Sequence, residues 1–258
     1  MRAPNHHAKR SISVLTRFGY GLFLICLGFC AGCAPCPDSG GPISETDFKE
    51  VIRVACVGDS LTYGAGLENR ERDAYPSQLQ GLLGTRWDVR NFGCPGTTAL
   101  QASRGTKAGL PYCDQGPYHA ALQFMPHAVV LQFGTNDADP ALWEAHKEEF
   151  KDDYRSLLRH FASLPTKPRI WLCFPTPLAP KDKNVRLDNL RDEVIPCIQS
   201  LAEEEQQPVI DFFKRLHGRW ELFPDQAHPD ARGARMLAEE VFQALTGKPV
   251  PHSEGDEP

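Results

Sequence analysis

Val54-Ala55-Cys56-Val57-Gly58-Asp59-Ser60-Leu61-Thr62-Tyr63-Gly64 is the stretch on which the reading of the chain turns. An apolar run from Val51 to Val57 stops at Gly-Asp-Ser. Its length and β-branched content suit a buried strand, and Gly58 can take the φ values of a sharp exit. Ser60 then has two readings. It is a turn residue capping the next helix, as Ser and Asp after a strand often are, or it is a nucleophile held at a strand's carboxyl end.

Outward from this point, strand-like and helix-like segments alternate. The pattern predicts a helix over Tyr75–Leu83, a strand over Trp87–Phe92, and a Gly/Pro/Thr-rich irregular region from Gly93 to about Pro117. A buried strand follows at Ala128–Phe133. Ala141–Leu164 reads as a helix whose inner face carries Leu142, Phe150, Tyr154, Leu157, Leu158 and Phe161. Then come a strand at Arg169–Phe174, a helix at Asn184–Glu205, a strand at Pro208–Phe213, and a helix at Ala231–Leu245 ending at Gly247. Such alternation implies an α/β fold, a parallel sheet covered on both faces. Ligands of these sheets bind beyond the carboxyl ends of the strands. Ser60, Gly93–Gly96 and Gly134-Thr135-Asn136-Asp137 all fall there, in three polar loops along one edge.

The chain is 41% hydrophobic and 24% charged, a globular balance. Its first 32 residues stand apart. Arg2, Lys9, Arg10 and Arg17 precede an apolar stretch, Phe18 to Cys30, too short for a comfortable membrane span. Cys30-Ala31-Gly32-Cys33 resembles the lipobox of bacterial lipoproteins, with Cys30 where Leu is usual. Residues 1–32 are therefore expected to be a signal peptide, with Cys33 lipidated; an ordinary signal peptide or an uncleaved anchor is the alternative. Each exports the protein, and lipidation would hold it at the cell envelope. Residues 33–48 read as a tether, 49–248 as one domain, and 249–258 as a disordered tail. The full chain carries 28 Lys and Arg against 33 Asp and Glu, net −5, and −9 once the four leader cations are gone. That acidity argues against nucleic acid as a partner. The cysteines lack zinc-finger spacing. Cys56 and Cys173 read as buried thiols, and Cys94 with Cys113 as an expected disulfide in loop sequence.

A serine nucleophile needs a base, a group to orient the base, and donors for the oxyanion. His228 is the best base, with Asp225 three residues earlier and on the same face of a turn. Pro229 would sit at the N1 position of the last helix. A surface Asp-x-x-His pair near a helix start stays an open alternative. Oxyanion donors are available from the Ser60 and Gly96 N–H groups and the Asn136 amide; Gly96 as a plain turn residue and Asn136-Asp137 as a helix cap are the competing readings.

Taken together, Gly58-Asp59-Ser60-Leu61, Asn91-Phe92-Gly93-Cys94-Pro95-Gly96, Gly134-Thr135-Asn136-Asp137 and Asp225-Gln226-Ala227-His228 resemble the four blocks of the SGNH/GDSL hydrolases, in order. The resemblance implies a flavodoxin-like three-layer α/β/α sandwich with a five-stranded parallel sheet. It also implies a catalytic Ser60, Asp225 and His228, an oxyanion hole of Ser60, Gly96 and Asn136, no cofactor and no metal. Residues 58–79 and 90–100 are most similar to bacterial sialate or carbohydrate O-acetylesterases. Substrate choice is expected in loops 62–74, 97–120, 137–142 and 175–186, where Arg104, Lys107, Tyr112, Tyr118, Lys181, Lys183 and Arg186 could meet a glycan ester. A lipid esterase, a lysophospholipase or a thioesterase of this fold is the enzymatic alternative. A lipid-anchored binding module is the non-enzymatic one.

Overall fold

The computed structural model describes residues 41–180 and 185–251. The leader, Cys33 with its expected lipidation, most of the tether, Lys181, Lys183 and tail residues 252–258 lie outside the described residues. Among the described residues, no helix is long and apolar enough to cross a membrane.

The first strand, β1 (Ile52–Gly58), leads into helices α1 (Ser60–Tyr63), α2 (Arg70–Asp73) and α3 (Tyr75–Leu83). Strand β2 (Trp87–Gly93) is followed by two very short strands, β3 (Thr97–Thr98) and β4 (Leu110–Pro111), and by α4 (Gly116–Gln123). Next come β5 (Ala128–Gln132), α5 (Pro140–Ala162) and β6 (Arg169–Phe174). The chain closes with α6 (Val185–Asn189), α7 (Ile195–Glu204), β7 (Val209–Asp211), α8 (Phe212–Leu216) and α9 (Ala231–Thr246). The main sheet has the order β2-β1-β5-β6-β7, and every pair is parallel.

Alternate residues of the central strands feed opposite faces, because successive side chains on a strand point to opposite sides. Ala55, Val57, Val129, Leu131, Ile170 and Leu172 enter one core with residues of α4, α5 and α7. Val54, Cys56, Val130, Trp171, Cys173 and Ile210 enter the other, with residues of α3, α8 and α9. Since both sets are apolar, the strands read in sequence as continuous hydrophobic runs rather than as alternation. All six residues expected on the inner face of α5 are buried, and Trp143 joins them. Asp139 caps that helix by accepting from Ala141 N and Leu142 N, so Asn136 and Asp137 are not its cap.

Several boundaries differ from expectation. The expected strand over Pro208–Phe213 ends at Asp211, whose carboxylate accepts from Lys214 N and starts α8 instead. The helix expected over 184–205 contains a π-helical turn, Leu190–Val194, between α6 and α7. Pro196 supplies the reason: it has no N–H to donate and its ring crowds the carbonyl four residues back, so the chain widens by one residue per turn just ahead of it. Residues 41–48 are not free tether. Ile43 is buried, its N–H donates to Leu245 O at 2.7 Å, and Arg86 and Arg169 donate to carbonyls of this segment. In the expected tail, Val250 packs on the second core. Pro229 precedes the helix cap, because α9 begins after Asp230, which accepts from Arg232 N and Gly233 N. Cys56 and Cys173 are buried free thiols, and Cys94 and Cys113 are free as well rather than bridged.

Candidate active site

From β1 the chain goes to β2 on one side, then returns to β5 on the other. The carboxyl end of β1 therefore lies where the strand order reverses, the place where open α/β sheets form their crevice. Register brings the three loops level: Gly58 pairs with Gly93 on one side and with Gln132 on the other. Two glycines make the close packing possible. A Cβ on Gly58 would lie 2.3 Å from Thr62 Oγ1, and one on Gly93 only 2.2 Å from Tyr63 N. Helix α1 thus crosses directly over the strand ends. Asn91 Nδ2 donates to its Thr62 carbonyl at 2.8 Å.

Asp59 is the cap of α1, accepting from Leu61 N at 2.9 Å. Ser60 is left as the first helical residue. Its N–H has no intrahelical acceptor, and its Oγ lies 2.8 Å from His228 Nε2. On the other side of the imidazole, Nδ1 lies 2.6 Å from Asp225 Oδ2. An ionised carboxylate can only accept, so Nδ1 carries the proton and Nε2 is free to accept from the Ser60 hydroxyl. Asp225 Oδ1 accepts from Ala227 N at 3.0 Å and His228 N at 2.7 Å. Burial acts to raise the Asp225 carboxyl, but these hydrogen bonds outweigh it and hold the group below its ordinary range. The Asp-x-x-His pair is therefore a closed turn with its imidazole aimed at Ser60, not an isolated surface pair.

Gly96 has a φ of +75°, and no atom would meet a Cβ built on it within 4 Å. Its carbonyl accepts from Leu110 N. Asn136 Nδ2 donates to Thr97 O at 2.9 Å, which binds the third loop to the second. Asp137 strengthens the same junction by accepting from Leu100 N at 2.8 Å.

The loop residues offered to substrate are mostly engaged within the protein. Arg104 pairs with Asp114, Tyr112 Oη donates to Phe92 O, and Tyr118 Oη meets His160 Nδ1. Arg186 is turned inward onto Thr135 and Asn136. Of the described candidates, Lys107 alone is exposed without such an engagement. A cleft of about 460 Å³ opens beside Asp225 and His228, with Leu67, Pro224 and Pro229 in its wall as well as the charged Glu68, Arg72 and Asp73. A larger one of about 760 Å³ lies beside β7 and α8, away from Ser60, Gly96, Asn136, Asp225 and His228, and contains Arg215 already paired with Glu240. Among the described residues, no group of three or more His, Cys, Asp or Glu is arranged to hold a metal.

Two buried carboxyls were not legible in the sequence as anything but turn residues. Burial pushes Asp59 up to about 6 and Asp137 up to about 7, against donors from Leu61 and Leu100 that act the other way. Gln132 beside Asp59, and the Gly134 backbone beside Asp137, also act to lower these carboxyls, but in both the loss of solvent outweighs the hydrogen bonds and favours the protonated form. A carboxyl whose pKa is raised by folding contributes stability that is complete below its unfolded pKa, near 3.8, and is lost as pH rises through the folded value. Unfolding free energy should therefore fall between about pH 4 and pH 7 through these two groups, each with a slope of up to about 1.4 kcal/mol per pH unit. Asp137→Asn keeps an acceptor for Leu100 N and removes the titration. Denaturant unfolding at pH 5 to 8 should show a flatter profile for the variant; an unchanged slope would refute the assignment.

The sequence profile of the GDSL-like lipase/acylhydrolase family matches residues 56–236. An acetylxylan esterase of Xylanibacter ruminicola is 32% identical over 215 residues, which cover 76% of this chain and 44% of that protein. The chain thus spans less than half the length of this relative. Among solved structures, the aryl esterase of M. smegmatis aligns with a TM-score of 0.60 at 19% identity, over 75% of this chain and 98% of that one. A carbohydrate acetylesterase from Sinorhizobium meliloti aligns with a TM-score of 0.61 at 17% identity, again over 75% and 98%. At such identities the structural likeness bears on the fold, and it agrees with the three-layer α/β/α sandwich.

Proposed function

The chain belongs to the GDSL-like lipase/acylhydrolase family, and we propose that it is a serine esterase removing O-acetyl groups from carbohydrates. The observation that carries this reading is the unbroken hydrogen-bond chain from Ser60 Oγ through His228 to Asp225. The similarity to an acetylxylan esterase supports the choice of acyl group and alcohol.

In the proposed reaction, Ser60 Oγ attacks the ester carbonyl while His228 Nε2 takes its proton. Asp225 keeps the imidazole in the accepting tautomer and stabilises the imidazolium that forms. The Ser60 N–H, the Gly96 N–H and one N–H of the Asn136 amide hold the oxyanion, each such donor contributing about 3 kcal/mol in the transition state. Collapse of the tetrahedral intermediate breaks the bond to the sugar oxygen, which leaves with the proton from His228. Water, deprotonated by the same imidazole, then releases acetate from the acyl-enzyme. The cleft beside His228 and Asp225 carries Glu68, Arg72 and Asp73 in an otherwise mixed wall, and these side chains offer donors and acceptors to a hydroxyl-rich alcohol.

Acyl-chain length tests the choice among ester classes. For p-nitrophenyl acetate, butyrate and octanoate, kcat/KM should fall at least about 10-fold from acetate to butyrate, because a pocket sized for a methyl group must open for each added methylene. O-acetylated xylo-oligosaccharides should lose acetate in the same assay conditions. Equal or faster turnover of octanoate would move the reading to a lipid esterase or thioesterase. Absence of turnover on every ester would leave a binding module.

A further inference from the structure

Behind the Asn136 amide stands a cation. Arg186, in α6, donates from Nη2 to Asn136 Oδ1 at 2.9 Å and from Nε to Thr135 O at 2.8 Å. On the opposite end of the same amide, Nδ2 donates to Thr97 O at 2.9 Å. One N–H of Asn136 is left over. We propose that Arg186 is a positioning residue, which locks the Asn136 amide with that N–H presented to the developing oxyanion and strengthens it as a donor. The inference rests on the reading of Asn136 as an oxyanion donor.

Donor and acceptor types fix the orientation of the amide. A free asparagine amide can turn end over end at little cost, and the turned form would face its carbonyl oxygen toward the oxyanion, where it repels. A guanidinium has no acceptor, so only Oδ1 can face Arg186; a backbone carbonyl has no donor, so only Nδ2 can face Thr97. With both neighbours in place the turned amide loses two hydrogen bonds at once. The charge adds to this. An N–H whose amide oxygen is bonded to a cation is polarised and donates more strongly. Arg186 also reaches the carboxyl beside the nucleophile, acting to lower Asp59, so its field extends over the site. Lysine is a poor substitute, because two acceptors at a fixed separation match the planar fork of a guanidinium and not a single ammonium.

The test is a double-mutant cycle on p-nitrophenyl acetate. Arg186→Gln should lower kcat about 10- to 30-fold, as loss of a charged hydrogen bond acting on the transition state, while KM moves less than about twofold because ground-state binding is untouched. Asn136→Ala should lower kcat about 10²- to 10³-fold. In the Asn136→Ala background, Arg186→Gln should cost less than about twofold more, since the residue acts only through that amide. Arg186→Lys should recover only part of the loss, and it replaces Arg186→Gln in the cycle if that variant does not fold. If Asn136→Ala is harmless, the oxyanion reading of Asn136 fails, and the proposal with it. If Asn136→Ala is damaging but the Arg186 effect is absent, or persists in full in its background, the proposal alone is overturned.

Discussion

Ser60→Ala should reduce ester turnover by at least about 10⁴-fold, leaving whatever the oxyanion donors achieve with water alone. The variant is a clean one. Its Oγ is engaged only with His228, and the cap of α1 is the neighbouring Asp59, so the substitution breaks no structural bond. Alanine is also the better helix former at this position. The Ser60 N–H is retained, so the variant keeps one of the three proposed oxyanion donors. Initial rates on p-nitrophenyl acetate, taken beside a thermal melt of both proteins, separate lost chemistry from lost fold. Turnover that persists within about 10-fold of the parent, with an unchanged melt, would remove Ser60 as the nucleophile.

The next largest effect should come from Asp225→Asn, a loss of roughly 10²- to 10⁴-fold in kcat. Here the reason lies in a proton rather than a missing atom. The side-chain Oδ1 of asparagine can go on accepting from Ala227 N and His228 N, as Asp225 Oδ1 does, so the turn is preserved. The amide NH₂ then replaces Oδ2 opposite His228 Nδ1. Two donors cannot face each other, so Nδ1 must become the acceptor and the ring proton moves to Nε2. The imidazole then donates toward Ser60 Oγ and can no longer take its proton. The Asp225 side chain is 50% exposed, which lets water compensate in part and sets the effect below that of a fully buried carboxylate. Because its pKa is held below the ordinary 3.8, the stabilising contribution of the parent carboxylate is lost only as pH falls through that depressed value. A loss under about 10-fold would mean that the imidazole is oriented by something else.

Much of this molecule is local in origin. Buried parallel strands need apolar residues on both faces, so Val51–Val57, Ala128–Phe133 and Arg169–Phe174 announce themselves as runs, within a residue or two of β1, β5 and β6. The α5 stripe and the Gly247 terminus are equally local, resting on helical period and on left-handed backbone. Strand alternation then brings the Ser60, Gly96 and Asn136 loops to one edge without any knowledge of distances. The Asp-x-x-His turn is close enough in sequence to be recognised as a pair. What short-range pattern misjudged is instructive: Pro208–Phe213 is apolar enough for a strand throughout, yet Asp211 finds Lys214 N and turns the chain into α8.

Other features depend on groups far apart in sequence meeting in space. Nothing within residues 41–48 reveals that Ile43 will find a place in the core under α9. Cys94 and Cys113 sit in loop sequence that permits a bridge, but each packs against the first core as a free thiol. Arg186 reads in sequence as one more exposed loop cation, and it is 50 residues from the amide that it grips. Asp59 and Asp137 read as turn formers, and only the packing of the three loops at the sheet's edge makes them buried acids. By itself, then, the sequence determined the α/β layering and the residue types available at the sheet's edge, because periodicity and turn chemistry act over a few residues. Tertiary structure decided which of those residues are aimed at Ser60, which are turned to support them, and which protons they hold, because burial and hydrogen-bond partnership are properties of the packed chain.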